Sequence, residues 1–306
     1  MRFPVSYPRR NLCHKRSAEV SVRGRGMVVG IVAIFLIAAF AVWLSSQDFK
    51  APNITLPVPG RDCTVRAGDD SPPVTLDAAQ MANAATITAI GVRRKMPERG
   101  VVVALATALQ ESKLENLAGG DRDSVGLFQQ RPSQGWGTPE QIRDPRYAAG
   151  KFYAGLKKVR GWQDMRVTDA AQAVQRSAFP EAYEKWADES AVLAAALLGR
   201  ATGAVACTVP GEPVIRGALA ATSLTKILNL DWGTVELVPA NAGFAVAAAD
   251  QTAGWRYAHW LVSHATDHGV KTVRFAGMEW SADGGRWSSV DGAGSDRVQA
   301  EVFGDA

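Results

Sequence analysis

Between Pro97 and Leu114 the chain reads PERGVVVALATALQESKL. From Gly100 to Leu109 no residue is charged, and apolar side chains fall on nearly every face of a helix rather than on one stripe. Such a helix has no face to give to water, so other elements must wrap it. Pro97 suits a first-turn position, where its missing N–H costs little, and polar Gln110, Glu111 and Ser112 close the run. The pattern predicts a central buried helix that ends near Ser112.

Neighbouring segments supply the wrapping. Asp77 is a natural N-cap for DAAQMANAATITAIGVRRK, and Asp144-Pro145 sets an N-cap before a Pro at N1 ahead of PRYAAGKFYAGLKKV. Thr168 is placed to cap DAAQAVQRSA, and Pro180 opens a further run that Gly199 stops. Residues 76–200 are therefore predicted to be five or six helices joined by loops. Residues 45–75, rich in Pro, Gly and Asp, and residues 201–215 read as linkers. In 216–306, QTAGWRYAHWLVSHATDHGV predicts a helix ending near Gly269, KTVRFAGMEW and DRVQAEVF alternate as strands do, and SADGGRW is a turn. The expected class is α+β: a mainly helical domain over 76–200, then a small α+β domain over 216–306.

The N-terminus constrains location. Met27–Leu44 is eighteen residues without a charge, just long enough to cross a hydrocarbon core of about 30 Å as a helix. Residues 1–26 carry seven Lys/Arg against the single acid Glu19. The positive-inside rule makes them a cytoplasmic tail, with the body extracytoplasmic behind an uncleaved signal-anchor. A cleaved signal peptide is the alternative, but the apolar run exceeds the usual length. Without that tail the net charge of +4 becomes −2, which gives no support for nucleic-acid binding by the body. Cys13 falls inside and is expected to stay reduced. Cys63 and Cys207 fall outside, where disulfides persist, and a bridge between them would tie together the ends of residues 64–206.

Glu111 invites chemistry. A carboxylate at the C-terminal end of a buried helix meets the negative end of the helix dipole and loses hydration. Both effects favour the protonated form, which a general acid requires. A Gly-rich loop follows, then Gly126-Leu127-Phe128-Gln129-Gln130, with apolar surface and amides suited to sugar hydroxyls and N-acetyl groups.

The stretch ESKLENLAGGDRDSVGLFQQRP resembles the lytic transglycosylase branch of the lysozyme superfamily over roughly residues 78–199. There Glu-Ser precedes a polar loop, Gly-Leu-Met-Gln and a proline; here Glu111-Ser112 stand fifteen positions before Gly126, and Pro132 follows. AAQAVQRSAFPEAY is similar to the family's later Ala-Tyr-Asn-Ala-Gly segment, with Gln175 near the Asn position and Ser177 near the Gly. The resemblance implies a lysozyme-like fold and a single catalytic residue, Glu111, that cuts the bond between N-acetylmuramic acid and N-acetylglucosamine. Ser112, Ser124, Phe128, Gln129, Gln130, Gln175 and Tyr183 become candidate substrate contacts. The partners implied are peptidoglycan glycan strands and the membrane; no cofactor is expected.

Departures accompany the match. Gly120 replaces a Ser, Ser124 an Ala, and Val174-Gln175 the Tyr-Asn pair. Asp121 and Asp123 are extra acids, able either to activate water in a muramidase or to cap turns. A fold that binds glycan without cutting it is the other alternative. Trp136 is a candidate for stacking on a sugar ring or for the core, and so are Trp255, Trp260, Trp280 and Trp287. His264 and His268 share a helix face, but no third ligand is placed by the pattern, so no metal is expected. The segment GWRYAHWLVSHATDHGVKTVRFAGMEW resembles a small C-terminal domain of actinobacterial wall-associated proteins, which implies targeting or partner binding.

Overall fold

The structure, a computed structural model, describes residues 62–68, 72–240, 242–294 and 296–305. The expected tail and membrane span, residues 1–44, lie outside the described residues. Among the described residues no helix is long and apolar enough to cross a membrane. The fold is α+β.

β1 (Cys63–Val65) and β2 (Val74–Leu76) pair antiparallel before the helices begin. α1 (Ala78–Arg93) starts on a capping box: Asp77 accepts from the Gln80 N–H at 2.8 Å, and the Gln80 side chain accepts from the Asp77 N–H at 2.9 Å. α2 (Glu98–Ser112) is the predicted central helix, with Pro97 just outside it as N-cap. Every residue from Gly100 to Leu109 is buried. After the short α3 (Pro139–Ile142), α4 (Pro145–Leu156) opens on Asp144 with Pro145 at N1, as expected. α1, α4, α5 (Val167–Gln175) and α6 (Ala187–Leu197) wrap α2.

Two predicted helix starts are corrected. α5 begins at Val167 without a side-chain cap, and the Thr168 hydroxyl, inside its first turn, instead donates to the Pro180 carbonyl. Pro180 does not open a helix; α6 begins at Ala187 after a 3-10 turn over Glu184–Trp186. The intervening segment serves α5: the Glu184 carboxylate accepts from the Thr168 N–H at 2.9 Å, and Arg166 pairs with both Asp169 and Glu181.

The stretches read as linkers also carry strands. β1 and β2 lie in one of them and β3 (Val205–Cys207) in the other, forming an antiparallel sheet in the order β2-β1-β3. Each strand is three residues long, too short to display a two-residue period. Cys63 stands opposite Cys207 in this sheet, and the two form a disulfide.

Beyond β3 come α7 (Gly217–Trp232), β4 (Leu237–Ala240), β5 (Gly243–Ala247), α8 (Gln251–Ser263), α9 (Ala265–His268), β6 (Val270–Phe275), β7 (Met278–Ser281), β8 (Arg286–Ser289) and β9 (Arg297–Val302). The six strands form an antiparallel sheet in the order β4-β5-β9-β6-β7-β8. α8 packs on β6 and β9, and also on α1, α6 and β3. The described residues thus belong to one compact unit.

Polar groups of the C-terminal half clip it to the rest. The Trp280 indole donates to the Cys207 carbonyl at 3.1 Å, and Trp287 to the Val205 carbonyl at 2.7 Å. Fully buried Asp231 accepts from the Thr86 hydroxyl and the Trp260 indole, each at 2.8 Å, and pairs with Arg146 at 2.6 Å. Trp255, Trp260 and Trp280 are therefore core residues and Trp287 is half-buried, so they present no carbohydrate face.

His259 is buried with Nδ1 2.8 Å from the Ala196 carbonyl and Nε2 accepting from the Ala204 N–H at 2.9 Å. Only a neutral ring protonated on Nδ1 satisfies both. Burial pushes its pKa down to about 4, and burial likewise lowers His264 to about 4. The unfolded chain takes up these protons near pH 6.5, whereas the fold resists them until about pH 4. Stability from these rings is full above about pH 6.5 and falls as the pH drops towards 4. Urea midpoints measured across this window should show the decline. His259→Gln, which removes the titrating ring, should flatten it by about 1.4 kcal/mol per pH unit. Separately, the disulfide closes a loop with a sequence separation of 144 residues. Cys63→Ser should therefore cost about 3–5 kcal/mol in denaturant unfolding, since long closed loops constrain the unfolded chain most.

Candidate active site

Glu111 is the penultimate residue of α2 and half-buried. Its Oε1 accepts from the Tyr183 hydroxyl at 2.7 Å and from Gln175 Nε2 at 3.1 Å. Gln175 is the last residue of α5, and its Nε2 also donates to the Phe128 carbonyl at 2.7 Å. One amide therefore ties the carboxylate to the loop that follows it. Burial, then the neighbouring Glu111 charge, raises the Tyr183 pKa well above the ordinary phenol range, so Tyr183 remains a donor. Both donors meet the same oxygen, Oε1.

The backbone around this carboxylate is strained. Lys113 (φ 57°) and Leu114 (φ 63°) directly follow α2, Gln129 (φ 45°) follows Phe128, and Arg176 (φ 54°) follows Gln175. Left-handed non-glycine residues cost roughly 1–2 kcal/mol each and persist only where surroundings hold them. Gln80 Nε2 donates to the Lys113 carbonyl and Asn83 Nδ2 to the Leu114 carbonyl, both at 2.8 Å, while the Leu114 side chain is fully buried. These contacts reverse the chain just past Glu111 and start the loop.

That loop is secured from within. The Ser112 hydroxyl donates to the Leu127 carbonyl at 2.8 Å and is buried. Phe128 stacks on Phe152 with ring centroids 4.9 Å apart. Gln130 is buried, and its Nε2 donates to the Ala148 carbonyl at 3.2 Å. The Ser124 hydroxyl lies 2.8 Å from the Asp121 carbonyl and 3.0 Å from Gln129 Oε1, while Gln129 Nε2 donates to the Gly126 carbonyl at 3.1 Å. The Gln129 side chain is thus folded back into its own loop. Gly120 permits this, because a Cβ there would stand 1.7 Å from Gln129 Oε1 and 2.6 Å from Ser124 Oγ.

The predicted contacts accordingly separate. Glu111, Gln175 and Tyr183 come together, although 64 and 72 residues separate the carboxylate from its partners. Ser112, Ser124, Phe128, Gln129 and Gln130 build the loop instead. Asp123 also belongs to the framework: Arg131 Nε reaches Oδ1 and the Ser133 N–H reaches Oδ2, each at 2.8 Å. The Ser133 backbone N–H foremost, and then Arg131, holds the Asp123 pKa far below the usual carboxylate range. Asp121 is exposed, with a loose Arg122 pair at 3.9 Å. His264 and His268 are engaged elsewhere, through the Trp260 carbonyl at 2.8 Å and the Ser223 hydroxyl at 3.0 Å.

A cleft of about 600 Å³ meets this site at Gln175. Gln134, half-buried Trp136, Lys158, Val174 and Arg176 line it with Gln175. Lys158 and Gln134 belong to no motif, and Arg176, although inside AAQAVQRSAFPEAY, was not singled out there; the sequence signal of all three is polarity in segments that the fold brings side by side. Beside Glu111, Gln110 accepts from the Trp186 indole at 2.9 Å, and Lys113 Nζ lies 3.9 Å above the Trp186 ring.

No protein-family model matches the chain, and no curated protein is significantly similar to it.

Ser112→Ala tests the framework role directly. It leaves the buried Leu127 carbonyl without this donor, so urea unfolding should register a loss of about 1–2 kcal/mol. Stability equal to that of the parent protein would remove Ser112 from the framework.

Proposed function

We propose that this protein is a membrane-anchored, extracytoplasmic, peptidoglycan-cleaving enzyme of the lytic transglycosylase type, with Glu111 as its general acid and base. The observation that carries the reading is the Glu111 carboxylate at the end of a buried helix, held on one oxygen by Tyr183 and Gln175 and adjoining a cleft through Gln175. Burial of α2 and the two donors fix the carboxylate in position, as acid catalysis demands.

In this scheme Glu111 gives its proton to the glycosidic oxygen as the bond to the muramic C1 breaks. The ionised carboxylate then takes the proton of the muramic 6-hydroxyl as that oxygen bonds to C1. The product is a 1,6-anhydro end, no water is consumed, and Glu111 regains its proton. A second carboxylate is not required, in contrast to two-acid glycosidases. The muramidase alternative gains no support from Asp123, whose oxygens are both engaged. The binding-only alternative has one observation in its favour: Gln129 is turned into its loop rather than towards Glu111. The Cys63–Cys207 disulfide agrees with an oxidising compartment, and residues 27–44 would supply the anchor.

Digestion of purified peptidoglycan by the full chain in detergent, with mass analysis of the fragments, decides among these readings. The expected products carry anhydro ends, and Glu111→Gln should lower their rate of release by about 100-fold or more. Reducing ends would instead make the protein a hydrolase. No release, or equal release by the variant, overturns catalysis by Glu111.

A further inference from the structure

Among the described residues five large apolar side chains are exposed, and four of them, Val214, Leu219, Leu230 and Val238, belong to α7 and its flanks. Val214 is fully exposed, Leu219 73% and Leu230 46%. Leu219 and Leu230 stand about three turns apart on α7 and so share one line along it, with exposed Lys226 between them. The opposite line, Ala220, Leu224 and Leu228, is buried. The inner face alone satisfies the fold, so the outer leucines are surplus to it.

Beside this face runs an apolar groove of about 310 Å³ between α7 and the edge of the six-stranded sheet. Thr222 and Thr225 line one side, Leu237, Pro239 and Phe244 the other, and no charged side chain lines it. The edge is closed to another strand. The Glu236 carbonyl accepts from the Ala247 N–H at 3.1 Å, so by alternation Leu237 and Pro239 turn their backbone groups to the free side. Pro239 has no N–H to offer there. An occupant of this face must therefore be held by apolar contact rather than by strand pairing.

The sequence places a lipid surface within reach. The seventeen residues 45–61 span at most about 60 Å between the apolar run and Asp62, the first described residue. The Asp62 carbonyl accepts from the Thr208 N–H at 2.8 Å, and Val214 follows Thr208 within about 20 Å of chain. The tether thus enters the body close to where the apolar face begins.

We infer that the outer face of α7 and the groove beside β4 form a docking surface for the bilayer. The inference rests on the reading of residues 27–44 as an anchor. Leu219 and Leu230 enter the acyl boundary, the groove takes the end of an acyl chain, and Lys226 extends to the phosphate layer. Docking would hold the body at a fixed height and orientation instead of leaving it free on its tether.

Photolabelling of the full chain in vesicles tests this. The vesicles contain phosphatidylcholine and phosphatidylglycerol in equal parts, with a trace of phosphatidylcholine carrying a diazirine on its acyl chain, and labelled residues are mapped by mass analysis. Label should appear in residues 27–44 and again in 214–238. Leu219→Glu with Leu230→Glu should lower the second label by about tenfold or more and leave the first unchanged. Both leucines are exposed, so the urea midpoint should stay at the parent value; if the double variant does not fold, Leu219→Glu alone decides, with a loss of about threefold or more. Label confined to 27–44, or equal label of 214–238 in the variant, overturns the inference. Label of 214–238 that falls as the protein is concentrated in the bilayer marks a second copy on this face and also overturns it. Label in 214–238 without label in 27–44 sinks the anchor reading and leaves the docking surface standing.

Discussion

The structure depends on one constraint: a helix with no polar face must be surrounded. Gly100 to Leu109 lie in the interior, and α1, α4, α5 and α6 are arranged by the need to cover them. Burying a Val or Leu contributes roughly 1.5–3 kcal/mol, and α2 buries Val101, Val102, Val103, Leu105 and Leu109. The polar end of such a helix emerges at only one place. Glu111 stands there, in the last turn, and inherits the rigidity of all that precedes it. A carboxylate on a loop would need its own supports, whereas this one needs only orientation, which Tyr183 and Gln175 provide.

The helical half is closed by the chain that enters and leaves it. Cys63 and Cys207 join its two ends, and Trp280 and Trp287 hold β3 from the far sheet. Asp231 joins four helices at one point, since Thr86, Arg146 and Trp260 come from α1, α4 and α8. Burying that charge is expensive, and replacing such a cluster with apolar residues is often neutral for stability. Its contribution is geometric: the three partners can satisfy one carboxylate in only one arrangement of these helices. C-terminal elements thereby fix α1 and α4, and α1 in turn supplies Gln80 and Asn83 to the chain reversal behind Glu111.

What was legible in the sequence follows the range of each interaction. The caps at Asp77 and Asp144 act over two or three residues, and both form as their spacing indicates. The buried run of α2 and its end at Ser112 are equally local. The disulfide was legible from compartment and number, not from spacing. Thr168 and Pro180 misled because each carries a local signal that a distant contact overrides: the two are bonded to each other across twelve residues. The strands of the first sheet were hidden because three residues show no period, and β3 reaches β1 from the far side of the helical segment. At the site, Glu111 was legible by its position on a helix, whereas its loop was not. Ser112, Ser124 and Gln130 are polar residues in a polar stretch, and only the fold reveals that their groups are spent on the Leu127, Asp121 and Ala148 carbonyls.

The loop residues Gly120, Ser124 and Gln129 act together. With glycine at 120, the Gln129 amide fits against the loop backbone and bonds to Ser124, a contact that a side chain at 120 would crowd. Gln129 is thereby turned away from the carboxylate, and the amide that meets Glu111 comes from Gln175 at the end of α5. That same amide reaches back to the Phe128 carbonyl, one residue before Gln129. The loop and the end of α5 are thus bridged through a backbone atom that any sequence would offer. Tyr183 supplies a hydroxyl to the same carboxylate from the turn before the 3-10 segment. Glycine at 120, glutamine at 175 and tyrosine at 183 are consistent as a set. A chain with the same helices but a side chain at 120 would need a different set of partners around its glutamate.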